Sequence, residues 1–290
     1  MSVSSRQRPP AGTLFLDHVS HFVPDLAAAA QALEALGFRV TPQSAQRTQD
    51  GPAGTSNVCA MLGEGYLEFL APTADTPGAA RLRAAMLRYP GAHLACFGTP
   101  DAEGEHRRLA AHGFEPAPLV ELERETEYGL ARFRVARPSP DRMPEGRVQF
   151  VEHLAPEVIW RPETVNPGTE LACVFVVADD PVAAGARWAR FAGLLPQPAG
   201  GYVHLATGRG HALVGTRGSW SALLGDAPPA PALAGCALEC SDPARLVSRC
   251  ELLGLALRRI RENLYSVLLP GALGGAWVFG TRDSLGFPEY

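Results

Sequence analysis

His18 and His93 stand at matched places in this chain, and so do Glu68 and Glu152. His18, in "LDHVSHFV", precedes Gly37 by almost the interval by which His93, in "GAHLACFG", precedes Gly113. Glu68 lies in "YLEFL" and Glu152 in "VQFVEHL", each flanked by apolar residues. Strand alternation groups Glu68 with Tyr66 and Leu70, and Glu152 with Phe150 and Leu154. A carboxylate among such neighbours is costly unless it is paired or ligates an ion. Two imidazoles and two carboxylates brought together suit an octahedral-type site for Ni, Co, Fe, Mn or Zn, with positions left open for water and substrate. For each histidine the alternative is a hydrogen-bonded core residue. Alternation turns His21 away from His18, to the outside, and His153 away from Glu152. Arg132 and Arg134 share one face of "LARFRVARP"; if that face lines the cavity, they would hold an anionic substrate. His204 and His211 flank "ATGRG" and read as a solvated hairpin.

The elements that must position these residues form a repeat. An apolar strand, a Pro/Asp break, an alanine-rich helix and a glycine open the pattern in "LDHVSHFVPDLAAAAQALEALGF". The pattern returns in "HLACFGTPDAEGEHRRLAAHGF", "CVFVVADDPVAAGARWARFAGL" and "GCALECSDPARLVSRCELLGL". The aspartate falls at or next to a helix N-cap, and Gly37, Gly113, Gly193 and Gly254 fall where a left-handed C-cap belongs. Strand-like segments follow each copy, so each unit reads β-α-β-β-β. One unit is too small to bury its own sheet face, so units must pair. The expected fold is α+β: four βαβββ modules paired into two half-open barrel sheets. Residues 1–12 read as a flexible tail, 13–160 as an N-terminal domain with the metal site, and 169–290 as a degenerate C-terminal domain. "WRPETVNPGTE" is the linker on this reading. In the second half the positions matching His18 fall near Cys173 and Cys236, and the last strands, "HALVGT" and "GAWVFGT", hold no carboxylate. That half is expected to carry no metal and to serve as scaffold, lid or dimer surface.

Composition excludes whole classes of chemistry. All 26 basic residues are arginine, so a Schiff-base lysine and a P-loop lysine cannot exist here. The net charge of −4 and the absence of a basic cluster argue against nucleic acid or an anionic membrane as partner. Apolar residues at 46% provide for a sizeable core. The six cysteines form no C-x-x-C pair and read as buried free thiols, which suits a reducing, cytoplasmic setting. "MSVSSRQRPPAG" has no signal-peptide core, and no apolar run reaches the length of a membrane span. The expected partner is a small-molecule substrate, and the expected state a monomer or homodimer.

The strands "LDHVSHFVPDL", "GYLEFLAP", "GAHLACFG" and "RVQFVEHL" resemble the four metal-bearing strands of bacterial glyoxalase I. The whole chain resembles the vicinal oxygen chelate superfamily, the glyoxalase, bleomycin-resistance and extradiol-dioxygenase group. "VQFVEHLAPEVIWRPE" is similar to the glyoxalase-like domain proteins. The resemblance implies paired βαβββ modules and a divalent metal on His18, Glu68, His93 and Glu152, with Glu68 or Glu152 as catalytic base. It implies lyase or isomerase chemistry on adjacent substrate oxygens. An extradiol-type Fe(II) dioxygenase using His18, His93 and Glu152 is the first alternative, and a metal-free protein that sequesters a small molecule is the second.

Overall fold

The structure is a computed structural model that describes residues 4–287. The four repeats are four βαβββ units. The first comprises β1 (Phe15–Phe22), α1 (Leu26–Ala35), β2 (Ser44–Thr48), β3 (Gly51–Glu64) and β4 (Tyr66–Pro72). After a connecting helix α2 (Pro77–Met86), the second comprises β5 (Gly91–Gly98), α3 (Ala102–Ala111), β6 (Val120–Thr126), β7 (Gly129–Ala136) and β8 (Arg147–His153). The third comprises β9 (Val165–Val177), α4 (Pro181–Ala192), β10 (Gln197–Ala199), β11 (Tyr202–Ala206) and β12 (His211–Gly215), followed by α5 (Arg217–Leu224). The fourth comprises β13 (Ala232–Cys240), α6 (Pro243–Leu252), β14 (Leu257–Arg261), β15 (Leu264–Leu268) and β16 (Ala276–Gly280), with α7 (Arg282–Leu285) at its end. Local chemistry sets the helix ends. Asp25, Asp101 and Asp180 cap α1, α3 and α4 by accepting backbone N–H bonds, and Gly193 ends α4 at φ 68°.

Units one and two share one sheet. β1 pairs with β4 on one side and β5 on the other, and β5 pairs with β8. A short pairing between β2 and β6, at Arg47↔Glu123 and Thr48↔Leu122, brings the two outer hairpins together. The N-terminal sheet, expected half-open, is therefore closed into an eight-stranded ring. Units three and four form the matching sheet around β9 and β13, but its outer strands β10 and β14 do not meet. Its interior is filled by α5. Trp220 is fully buried, stacks on Phe175 at 4.5 Å and donates its indole N–H to the Val176 carbonyl at 2.7 Å. The N-terminal ring encloses a cavity in the corresponding place.

The outer faces of both sheets and the module helices merge into one apolar core, in which Phe97 and Phe150 meet Trp188 and Phe191, and Phe38 meets Trp277. The stretch read as a linker is packed. Trp160 is buried, and β9 begins within it and pairs with β3 at Met61↔Val165. The N-terminal stretch is also held: Gln7 is buried and donates to the Gly63 carbonyl at 2.9 Å, while residues 1–3 lie outside the described residues. All six cysteines are buried and free. No helix among the described residues is long and apolar enough to cross a membrane.

Candidate active site

The register of the central strands lays the inward side chains in two rows. One row runs Tyr66, His18, Cys96, Gln149, and the next runs Glu68, Ser20, Leu94, Arg147. His18, Tyr66, Glu68, Gln149 and Arg147 line the N-terminal cavity, together with Asn57, Arg124, Phe133 and Arg137.

Glu68 is buried and held from three sides. Ser20 donates to Oε2, Asn57 donates to Oε1 at 2.6 Å, and Gln46 reaches Oε1 at 3.4 Å. Asn57 is fixed in turn by buried Arg124, whose Nη1 donates to its carbonyl oxygen at 3.0 Å. His18 stacks on Tyr66 with ring centroids 4.4 Å apart, and its Nε2 stands 3.7 Å from Glu68 Oε2. Its Nδ1 lies 2.7 Å from Asp17 Oδ1. The register slips between Leu16 and His18, and this bulge brings Asp17 beside its neighbour. The other Asp17 oxygen meets His153 Nε2 at 2.9 Å. Burial works against the charged form of both members of this group. His153 and His18 nevertheless hold the Asp17 carboxyl well below the usual carboxylate range. Against the same burial, Cys96 and the two carboxylates hold His18 well above the ordinary imidazole value. Burial pushes the Cys96 thiol up, so the carboxylates are what keep the His18 imidazolium charged.

Of the four expected ligands, His18 and Glu68 are brought together and His93 and Glu152 are not. His93 sits at a second bulge, where the β1/β5 register jumps from Ser20↔Leu94 to His21↔Ala92. Its ring is stacked between Phe22 and Tyr89, its Nε2 lies 2.8 Å from the Tyr89 carbonyl, and burial lowers its pKa to about 4. Cys96 takes the place beside His18. Glu152 faces outward, where it accepts from the Ala102 amide at the start of α3 and stands 3.8 Å from Arg134. The parity of β8 is the reverse of the expected one: Gln149 and Val151 line the cavity and His153 is buried on that side against Trp160 and Phe133, while Phe150 belongs to the outer core. The parity of β7 likewise turns Phe133 and Val135 inward. Arg132 then pairs outside with Glu123, and Arg134 with Glu121 and Glu103. His21 faces away from His18, as alternation requires, but is fully buried against the Leu273 and Gly274 carbonyls. His204 is buried as well, 3.0 Å from His211, so that hairpin is not a solvated one.

The signal that finds Gln149 is in the chain itself. "GYLEF" and "GRVQF" match with their glycines aligned, which equates Glu68 with Gln149 and Tyr66 with Arg147. Aligning acid with acid hid this match. Cys96 and Asp17 carry no comparable mark, because both depend on the β1/β5 bulges.

Among the described residues one group could hold a metal ion: Asp17, His18 and Cys96, whose ligand atoms lie within 4.8 Å of one another. Both oxygens of Asp17 already serve histidines, so its role suits the carboxylate that orients a ligating imidazole rather than a ligand. The donors left over are His18 Nε2 and Cys96, a nitrogen and sulfur pair of the kind that binds a zinc-like ion, while Glu68, 3.7 Å from His18 Nε2, lies outside the group.

Paired βαβββ units around this cavity define a protein of the vicinal oxygen chelate superfamily. The Glyoxalase-like domain family matches residues 16–192, more than half of the chain, and the chain belongs to that family. Solved structures share the fold. A hypothetical protein from Staphylococcus aureus matches with a TM-score of 0.63 at 12% identity, over 92% of this chain and 99% of that one. A mutant of 4-hydroxymandelate synthase from Streptomyces coelicolor matches with 0.55 at 15% identity, over 95% and 94%. A xylose isomerase-like TIM barrel/4-hydroxyphenylpyruvate dioxygenase fusion protein matches with 0.60 at 13% identity, over 98% of this chain and 51% of that one. At these identities the likeness extends to the fold alone. No curated protein matches the sequence.

Proposed function

We propose that this protein is an isomerase- or lyase-type enzyme that moves a proton on a small oxygenated substrate inside the N-terminal barrel. The observation that carries this reading is the pairing of Glu68 with His18 across 3.7 Å in the cavity, each oriented by buried hydrogen bonds. Glu68 is the base for a carbon-bound proton next to a carbonyl, and the charged His18 stands ready to donate to the carbonyl oxygen as the enol forms. Return of a proton to carbon completes an isomerisation, and loss of a neighbouring group completes an elimination. A divalent ion on His18 Nε2 and Cys96 would replace the His18 proton and, when bound, supply Lewis-acid polarisation of the same oxygen in its stead. The dioxygenase alternative loses support because the ligands it requires, His18, His93 and Glu152, are not assembled.

The test follows carbon-bound deuterium by NMR for a panel of 2-oxo and 2-hydroxy acids in D₂O, using tag-free protein whose metal content has been measured. Glu68→Gln is expected to lower exchange by about 10²-fold or more, the usual worth of a positioned acid–base group. Glu152→Gln, outside the barrel, is expected to leave it unchanged. Tight binding without exchange, with and without added metal, would establish a sequestering protein instead.

A further inference from the structure

The two sides of the cavity differ in how their charges are partnered. Glu68 and His18, with Arg124 tied to Asn57 beside them, occupy one side. On the other, the matching positions of unit two hold Arg147 in place of a tyrosine and Gln149 in place of a glutamate, with Arg137 behind them. Arg137 spends one N–H on the Gln149 carbonyl oxygen, its Nε donating at 2.8 Å. Its terminal nitrogens bond nothing among the described residues. The guanidinium of Arg147 lies 5.8 Å over the Phe22 ring and makes no hydrogen bond or ion pair among the described residues. The contrast with the outer wall is informative: Arg132 and Arg134, on the same strand as the inward Phe133, each have a carboxylate partner. Two guanidinium groups face one cavity with no ion-pair partner in contact and only the Glu68 carboxylate across it as counter-charge, so a ligand's anion has both of them to pair with. Burial, and then Arg137 and Arg81, lower Arg147 to about 9, while Glu68 acts in the opposite direction.

We infer that Arg147, backed by Arg137, is the subsite for the carboxylate of a small organic acid, with the acid's next carbon turned toward Glu68. Glu68 and Arg147 stand in the same row, separated by the inward positions Ser20 and Leu94. Three strand spacings put their backbones about 14 Å apart along the sheet, and less across its curve. Two long side chains reaching inward leave room for a carboxylate and one or two carbons between them. The planar fork of arginine suits a carboxylate held by two parallel hydrogen bonds. Substrates lacking the anion would leave both guanidinium groups unsatisfied, so the pair selects acids over their neutral analogues.

This inference rests on the barrel being the substrate site, and calorimetric titration separates the two ideas. The probes are pyruvate, 2-oxobutyrate, the two corresponding amides and inorganic phosphate. The acids are expected to bind the wild-type protein, with the amides weaker by about 30-fold, the worth of a lost charge-assisted pair. Arg147→Met keeps the stem over Phe22; it should weaken acid binding by a similar factor and leave amide binding unchanged. Arg147→Lys should recover only part of the loss, because a point charge cannot make the fork. Thermal melts that match wild type exclude a folding defect in either variant. Glu68→Gln should bind the acids at least as tightly as wild type, and that binding keeps the subsite whether exchange is lost, as the proposed chemistry requires, or is retained, which would sink that chemistry alone. Equal binding of acid and amide, undiminished acid binding by Arg147→Met, stronger binding of phosphate than of any acid, or no binding of any acid at millimolar concentration would overturn the carboxylate subsite.

Discussion

Replacing Asp17 by alanine is expected to cost the fold roughly 3–5 kcal/mol, the usual penalty for removing one partner of a buried ion pair. Asp17 is completely buried and serves two histidines at once, His18 at 2.7 Å and His153 at 2.9 Å. Alanine would leave both rings without their acceptor and would take away the nearest charge that keeps His18 protonated. Urea denaturation at neutral pH should show the loss as a lower midpoint with little change in slope. NMR titration should show the His18 pKa falling in the same variant. The pH dependence of the wild-type contribution has a definite sign. The Asp17 pKa is depressed in the folded protein, so its stabilisation is present above the unfolded carboxylate value and is lost only as pH falls through the lower folded value. The raised His18 pKa acts in the other direction: its stabilisation is complete below the ordinary imidazole value and is lost as pH rises through the folded one. A loss below about 1 kcal/mol for Asp17→Ala would mean that the bridge is not an ionised one.

Mild acid should destabilise the protein by several kcal/mol before any buried carboxylate matters. His21 and His93 are both buried and both lowered to about 4, in each case first by burial. Neutral rings are retained in the folded state while the unfolded chain takes up protons near pH 6.5, so stability falls as pH drops from about 6.5 toward 4. At about 1.4 kcal/mol per unit of displacement each histidine accounts for roughly 3 kcal/mol, and the two together for about 6. Asp17 does not offset this, since its folded pKa lies below the window, and His18 is already protonated in both states there. Urea midpoints measured in steps from pH 7 to pH 4.5 should decline steadily, with proton uptake on unfolding at His21 and His93 and also at His211 and His204, whose pKa values burial lowers too. His93→Gln should flatten the decline. A midpoint that holds constant across the range would show that both rings protonate in place.

Much of the architecture was legible from one sequence. The four repeats, their strand and helix order, the aspartate caps and the four glycines at helix ends are consequences of local chemistry that neighbouring residues dictate. The pairing of units followed from size alone, because a lone βαβββ unit cannot cover its sheet. His18 and Glu68 were identified correctly as inward residues because alternation along β1 and β4 puts them on the cavity face, the two β1/β5 bulges falling before His18 and after Ser20 rather than at His18 itself. By contrast, ring closure depended on the β2–β6 contact, which joins segments distant in the chain and has no local mark.

The ligand set was where sequence reasoning failed, and the reason is parity. A strand's side chains alternate with a period of two, so an error of one residue moves a group from cavity to outer wall. Two bulges on the β1/β5 pair did this at Asp17 and His93, and choosing Glu152 over Gln149 did it on β8. The sequence by itself determined the repeat, its elements and two of the inward polar residues. The tertiary structure alone decided that Cys96 and Asp17 flank His18, that Arg137 and Arg147 face Glu68 across the cavity with no ion-pair partner in contact, and that α5 fills the second sheet while the first encloses a cavity. Those outcomes depend on which strands meet and in what register, and register is set by long-range pairing rather than by any stretch of neighbouring residues.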